Sequence, residues 1–243
     1  ALADPTLDPK YRGFIAVHHT PVLIKLNLKP RADLTWDPQN TGNDDRFIPA
    51  QIPVEGDPEK GGGARFNLNG KGSQISLDVR APTEPGEGRF YYRNDFFGSS
   101  GGSFPYRLRD LYGQYYGFLA GMTQSVFADS SLRFDTVDYR GPNALVTDRK
   151  PLVSYDLPLG EEWRLKLGLE QPDGDADGAS EDLHPAPDST AHLRWERAGA
   201  GHAQASAVAR AIGARDAADD RQVVFGWGVN LSAEIELSAR DAL

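Results

Sequence analysis

From Val22 to Asp37 the chain alternates. Val22, Ile24, Leu26, Leu28, Pro30, Ala32, Leu34 and Trp36 are apolar. Their neighbours Leu23, Lys25, Asn27, Lys29, Arg31, Asp33, Thr35 and Asp37 are polar, Leu23 excepted. Successive side chains of a strand point to opposite faces, so the stretch predicts one strand of sixteen residues with a greasy and a charged side. Pro30 lacks a ladder donor, but the apolar parity runs past it, which predicts no bulge. The same period returns further along. Ile75, Leu77 and Val79 alternate with Gln74, Ser76, Asp78 and Arg80. Phe90, Tyr92 and Phe96 oppose Arg89, Tyr91, Arg93 and Asp95, with Asn94 the exception on the apolar side. Arg107 and Arg109 share a face, and Trp163, Leu165, Leu167 and Leu169 oppose Arg164, Lys166, Gly168 and Glu170. In QVVFGWGVNLSAEIEL, Val223 to Leu237 gives eight consecutive apolar positions on one face.

The pattern predicts about ten strands, several of 12–16 residues, and almost no helix. Links alternate between short turns (PTEPGEG, GEE, GAG) and long polar loops. Strands of soluble proteins run about 3–10 residues. Two all-β architectures alternate in this way. A soluble sandwich packs its apolar face on a second sheet. An outer-membrane barrel turns its apolar face to lipid and its polar face to the lumen, with short turns at one end and long loops at the other. Strand length, loop asymmetry and rows of Lys, Arg and Asp on one face favour an antiparallel transmembrane β-barrel. Residues 1–20 show no clear period and read as an ordered plug or a frayed end, with the barrel over 21–243.

Composition narrows the choice. Hydrophobic residues make up 39% of the 243, and the formal net charge is −9. Mean hydropathy is −0.51, and no window approaches the roughly 18 apolar residues of a spanning helix. A helical membrane protein is excluded; a barrel is not, because alternation averages its hydropathy away. The acidic balance argues against nucleic acid as a partner. Cysteine is absent, so no disulfide or thiolate metal site is expected. The chain opens at Ala1 with neither Met nor the charged and apolar regions of a signal peptide.

The ordered set of motifs resembles the DcaP-like outer-membrane porins of Gram-negative bacteria. It comprises VLIKLNLKPRADLTWD, RFIPAQIP, ISLDVRAPT, RNDFFG, YRLRDLYGQYYGFLAGMTQSVFAD and TVDYRGPNALVTDRKP, followed by VSYDLPLG. They run in family order from about residue 20 to 172; beyond that, the likeness is one of strand pattern. The resemblance implies a sixteen-stranded barrel, a homotrimer set in lipid and lipopolysaccharide, and passage of small anions and dicarboxylates. Ten strands fall short of sixteen, which at this spacing take roughly 350 residues, and the chain ends on Leu243 rather than an aromatic residue. The expectation is a fragment of such a barrel, or a shortened relative. The alternatives are a soluble or secreted β-sandwich binding carbohydrate through exposed aromatics, and a non-conducting structural barrel.

A porin does no bond chemistry; rings of charge set its selectivity, so neither a catalytic residue nor a cofactor is expected. Strand parity nominates as pore-lining the cations Lys25, Lys29, Arg31, Arg80, Arg93, Arg107, Arg109, Arg164, Lys166 and Arg194, with Asp33 and Asp95. Asp78, Glu170 and Glu196 share their faces. Arginine suits such a row, because its planar fork meets a carboxylate at two points. Residues 130–151 are too long for an ordinary hairpin link, and the resemblance implies a loop folded inward as a constriction, with Arg133, Arg140, Arg149 and Lys150 as its cations.

Asp173, Asp175 and Asp177 copy the first half of a calcium loop, but its twelfth position is His184 rather than Glu and no helices flank it. A solvated acidic loop accounts for it better. The five histidines show no zinc spacing, and no hydrolase or phosphate-loop motif occurs. Trp and Tyr lie mostly near predicted strand ends, as interface girdles require.

Overall fold

The computed structural model describes residues 9–45, 47–83, 86–99, 103–132, 146–174, 180–215, 219–238 and 241–242. Its strands are β1 (Ile15–Ala16), β2 (Leu23–Lys29), β3 (Asp33–Asp37), β4 (Arg65–Asn69), β5 (Gln74–Pro82), β6 (Glu87–Asp95), β7 (Arg107–Tyr115) and β8 (Phe118–Gln124). There follow β9 (Arg149–Pro158), β10 (Trp163–Glu170), β11 (Glu181–Leu183), β12 (Asp188–Arg197), β13 (Gly201–Arg215), β14 (Arg221–Ser238) and β15 (Asp241–Ala242). Ten of these have seven residues or more, namely β2, β5 to β10 and β12 to β14. The larger sheet follows the chain in the order β1-β2-β5-β6-β7-β8-β9-β10-β12-β13-β14-β15, with β11 on β13, while β3 and β4 form a sheet of two. Only β13 and β14 reach the length expected of several strands, at 15 and 18 residues.

The faces are inverted relative to a soluble protein. Leu26, Leu28, Leu167, Leu169, Phe225 and Val229 are exposed, and Trp227 and Leu231 reach 73% and 79%. Asp78, Asp95, Asp110, Asp129, Glu170 and Asp188 are buried on the opposite face. A sandwich would bury Leu231 and hydrate Glu170, so this burial pattern is the reverse of a sandwich's. Contiguous exposed apolar surface on this scale calls for an apolar surrounding.

The described residues form two compact units, one within 1–80 and 91–109, the other within 81–90, 110–132 and 146–243. In the first, the expected sixteen-residue strand is broken. β2 stops at Lys29 and β3 starts at Asp33. Pro30 offers no N–H, and the N–H of Arg31 donates instead to Ser73 Oγ (3.0 Å), which in turn donates to Arg31 C=O (3.1 Å). One hydroxyl thus replaces two ladder bonds, and the strand ends. The parity survives the break: Leu34 and Trp36 stay exposed and face Leu68 and Phe66 across the β3–β4 hairpin. Leu23, the odd apolar residue of the polar face, is 1% exposed. A 3-10 turn at Pro9–Tyr11 and β1, paired with β2, line this face, and Tyr11 is buried like Leu23. Residues 1–8 lie outside the described residues.

The second unit contains a meander from β8 to β15. Two tight turns join β9 to β10 and β12 to β13. At the second, Gly201 has φ +111°, and a Cβ there would fall 1.9 Å from Glu234 C=O, so only glycine fits. Arg149 and Lys150, expected in the loop, open β9 instead, opposite Gln124 and Thr123 of β8. The loop is therefore shorter than 130–151. Arg133 and Arg140 lie outside the described residues, as do Asp175 and Asp177.

Candidate functional site

The inner face of the first unit is built around Asp95, the last residue of β6, which is 0% exposed. Arg107 meets it with two parallel hydrogen bonds, Nε to Oδ1 at 2.7 Å and Nη2 to Oδ2 at 2.6 Å. Arg109 Nη1 donates to the same Oδ2 at 3.1 Å. Arg107 and Arg109 are two apart on β7, so strand geometry puts both guanidinium groups on one face. Arg107 also lies 5.4 Å above the ring of buried Phe97. Two cations share one carboxylate here.

A second cationic group sits on β2 and β5. Arg80 binds Asp78 through Nε and Nη2 (3.1 and 3.2 Å) and stands 5.5 Å from the Phe14 ring. Lys25 lies 5.6 Å from the same ring and donates to Arg12 C=O. Arg31 pairs with Asp33 at 2.6 Å, and Lys71 pairs with Asp45. Lys29, at the end of β2, is exposed, and Arg93 is half-buried on β6.

The second unit is arranged differently. Residues 125–131 leave β8 and run as a strap over the inner face. Glu170, 2% exposed, accepts from Ser125 Oγ (2.7 Å), Val126 N–H (2.7 Å) and Thr190 Oγ1 (2.8 Å). Val126 C=O lies 2.8 Å from His192 Nδ1, and Asn230 and Gln204 side-chain amides donate to Phe127 C=O and Ala128 C=O. Asp129 closes the strap. It accepts from Ser131 Oγ (2.6 Å), Ser232 Oγ (2.7 Å) and Arg194 Nη1 (3.2 Å), and lies 2.9 Å from His202 Nε2. Burial opposes its ionisation, but the hydrogen bonds from Ser131, Ser232 and His202 hold its carboxyl below the usual carboxylate range. Ser131 Oγ also lies 3.2 Å from His202 Nε2. A hydrolytic relay needs the hydroxyl and the carboxylate on opposite ring nitrogens; here both meet the same one.

Between the strap and β9, β10 and β12 lies a polar cleft of about 540 Å³. Arg164, Lys166 and Arg194 line it together with Asp156, Glu162 and Glu196. Arg164 is 3.9 Å from Asp156, and Arg194 is 2.9 Å from Glu196. Lys166 makes no ion pair or hydrogen bond among the described residues, although Asp156 stands directly across the ladder.

The nominated residues divide between the two units, in several local groups. Lys25, Arg31, Arg80, Arg107, Arg109, Asp33 and Asp95 belong to the first unit, and Arg164, Lys166 and Arg194 to the second. Arg149 reaches Asp110 at 3.8 Å and Lys150 reaches Asp148 at 2.8 Å, both at the start of β9. Asp173 serves through its backbone, whose C=O accepts from Arg210 Nη2 (2.6 Å). Sequence reasoning missed Asp129, His202 and the strap. A signal was present in HAQASAVAR, where His202, Gln204 and Ser206 alternate with alanines; alanine is too weakly apolar to mark a lipid face.

No family model matches the chain, and no curated protein matches it significantly. Among solved structures it is similar to the outer membrane channel DcaP of Acinetobacter baumannii, with a TM-score of 0.74 and 24% identity. The match covers 89% of this chain and 61% of that channel, so the chain spans less than two thirds of its length. At this identity the likeness is one of fold: the chain has the antiparallel β-sheet fold of an outer-membrane channel.

Proposed function

We propose that the chain forms the wall of a porin in the bacterial outer membrane, for passive diffusion of small anionic solutes such as dicarboxylates. One observation carries this reading: apolar rows lie exposed on one face of the strands while ionised side chains lie buried on the other. Lipid satisfies the first face and a water-filled lumen the second. The clusters at Asp95 and Phe14, each with two cations, supply the positive field that favours anions. The segment between the strap and β9 acts as the constriction. The working assembly is a homotrimer surrounded by lipid and lipopolysaccharide. The chain carries out no catalysis, and the acidic loop from Asp173 holds no calcium.

The test is single-channel conductance of the detergent-purified protein in a planar bilayer under a salt gradient. Discrete steps with a reversal potential of anion-selective sign are expected. Folded, detergent-stable protein that gives no steps would withdraw the transport reading in favour of a non-conducting barrel.

A further inference from the structure

The ladder registers of the second unit arrange the inner charges in levels. Nearest the two tight turns stand Glu162 and Glu196, adjacent through the hydrogen bond from Glu196 N–H to Glu162 C=O, with Glu234 opposite His202 on the same level. Two residues further along each strand, Arg164 faces Arg194. Two further still, Lys166 lies between Asp156 and His192. Successive levels are about 7 Å apart, two strand rises. The sign therefore changes from acid to base to mixed along one wall.

The charges are unequally engaged. Arg194 is occupied by Asp129, Ser131 and Glu196. Arg164 has only Asp156 at 3.9 Å, and Lys166 has no partner within hydrogen-bond or ion-pair distance among the described residues. On the acidic level, Glu162 accepts from Trp195 Nε1 (2.8 Å) and lies 3.5 Å from Arg197 Nε, and Glu196 accepts from Arg194 Nε (2.9 Å); both carboxylates keep part of their surface exposed, Glu196 the more. A carboxylate entering the cleft finds Arg164 about 7 Å along the wall, and Lys166 about 14 Å along it, from the level at which an ammonium finds Glu162 and Glu196.

We propose that this cleft is a subsite for solutes carrying both a carboxylate and an ammonium group, amino-dicarboxylates in particular. The proposal rests on the channel reading above and narrows its solute class. An unmodified dicarboxylate gains from Lys166 and Arg164 but meets repulsion from Glu162 and Glu196; an added ammonium turns that repulsion into attraction.

Glutamate and glutarate test it, because they share a carbon chain and differ by the amino group. Binding to the full chain in detergent is followed by tryptophan fluorescence, since Trp195 holds Glu162, with W195F as the reporter control. Permeation is followed separately in the bilayer. Glutamate is expected to bind about fivefold more tightly than glutarate, the worth of one ion pair near 4 Å in water. E162Q/E196Q should abolish the preference, and K166Q should weaken both ligands. Equal binding of the two, or a preference unchanged in E162Q/E196Q, overturns the proposal while leaving the channel standing. Preferential binding without conductance overturns the channel and keeps the subsite.

Discussion

Asp95 and Glu170 are both buried carboxylates on the inner face, and the chain answers them in opposite ways. Asp95 is met by two arginines, so its charge is answered by cations. Glu170 is met by two hydroxyls and a backbone N–H, with no cation within 4 Å among the described residues, so its charge is answered by neutral donors. Neutral donors can hold a carboxylate ionised without cancelling its charge. The field of a pore wall therefore follows from the kind of partner each charge has. A row of arginines loses much of its reach when each shares a carboxylate, and three neutral hydrogen bonds leave a carboxylate's reach intact.

Removing Asp95 breaks the comparison most severely. In D95A two partly buried guanidinium groups lose their shared counterion, and stranding one side of a buried ion pair costs about 3–5 kcal/mol. Heat-modifiability on detergent gels should show unfolding at a clearly lower temperature. Glu170 comes next. In E170A, Val126 N–H and two hydroxyls lose their acceptor, at about 1–3 kcal/mol for a group left unsatisfied. The strap should detach, read as new protease cleavage within 125–131, whereas D95A should leave this segment protected. Cleavage at the strap in D95A as well would show that the two regions are not independent.

Selectivity sharpens the contrast with a smaller effect. A unit charge about 7 Å from an ion in water is worth about 0.6 kcal/mol, a factor of about three in local concentration. R107E/R109E should move the reversal potential towards cations by at least that factor, while E162Q/E196Q should move it towards anions. An unchanged anion preference in R107E/R109E would remove that pair from the mechanism.

Much of this was legible in the sequence where alternation was strong. The outward row from Val223 to Ile235 and the inward Arg107 and Arg109 follow from parity alone. Pro30 shows the limit of parity: the apolar positions continue past it, but the backbone cannot, because the missing N–H and the competing Ser73 hydroxyl end the ladder. Parity also could not reveal partners. Asp95 and Arg107 are twelve residues apart, and Glu170 and Val126 are 44 apart, so which charge is spent on which depends on strand register and a returning segment. The strap itself, VFADSS after β8, has no period to read.

The smallest expected effect concerns Asp129, which unites both styles of partner: serine hydroxyls, His202 and Arg194. Its carboxyl sits below the usual carboxylate range in the folded protein, so the unfolded chain binds its proton more readily. The stabilisation is then complete above the unfolded value of about 3.9 and is lost as pH falls through the folded value. Other buried carboxylates lose stability in the same window, so the informative quantity is a difference. Between pH 5 and pH 3 the wild type should lose more thermal stability than D129N, in which that position no longer titrates. Equal losses would mean that the serines and His202 favour the ionised and protonated carboxyl alike, and that the strap's closure at Asp129 is steric rather than electrostatic.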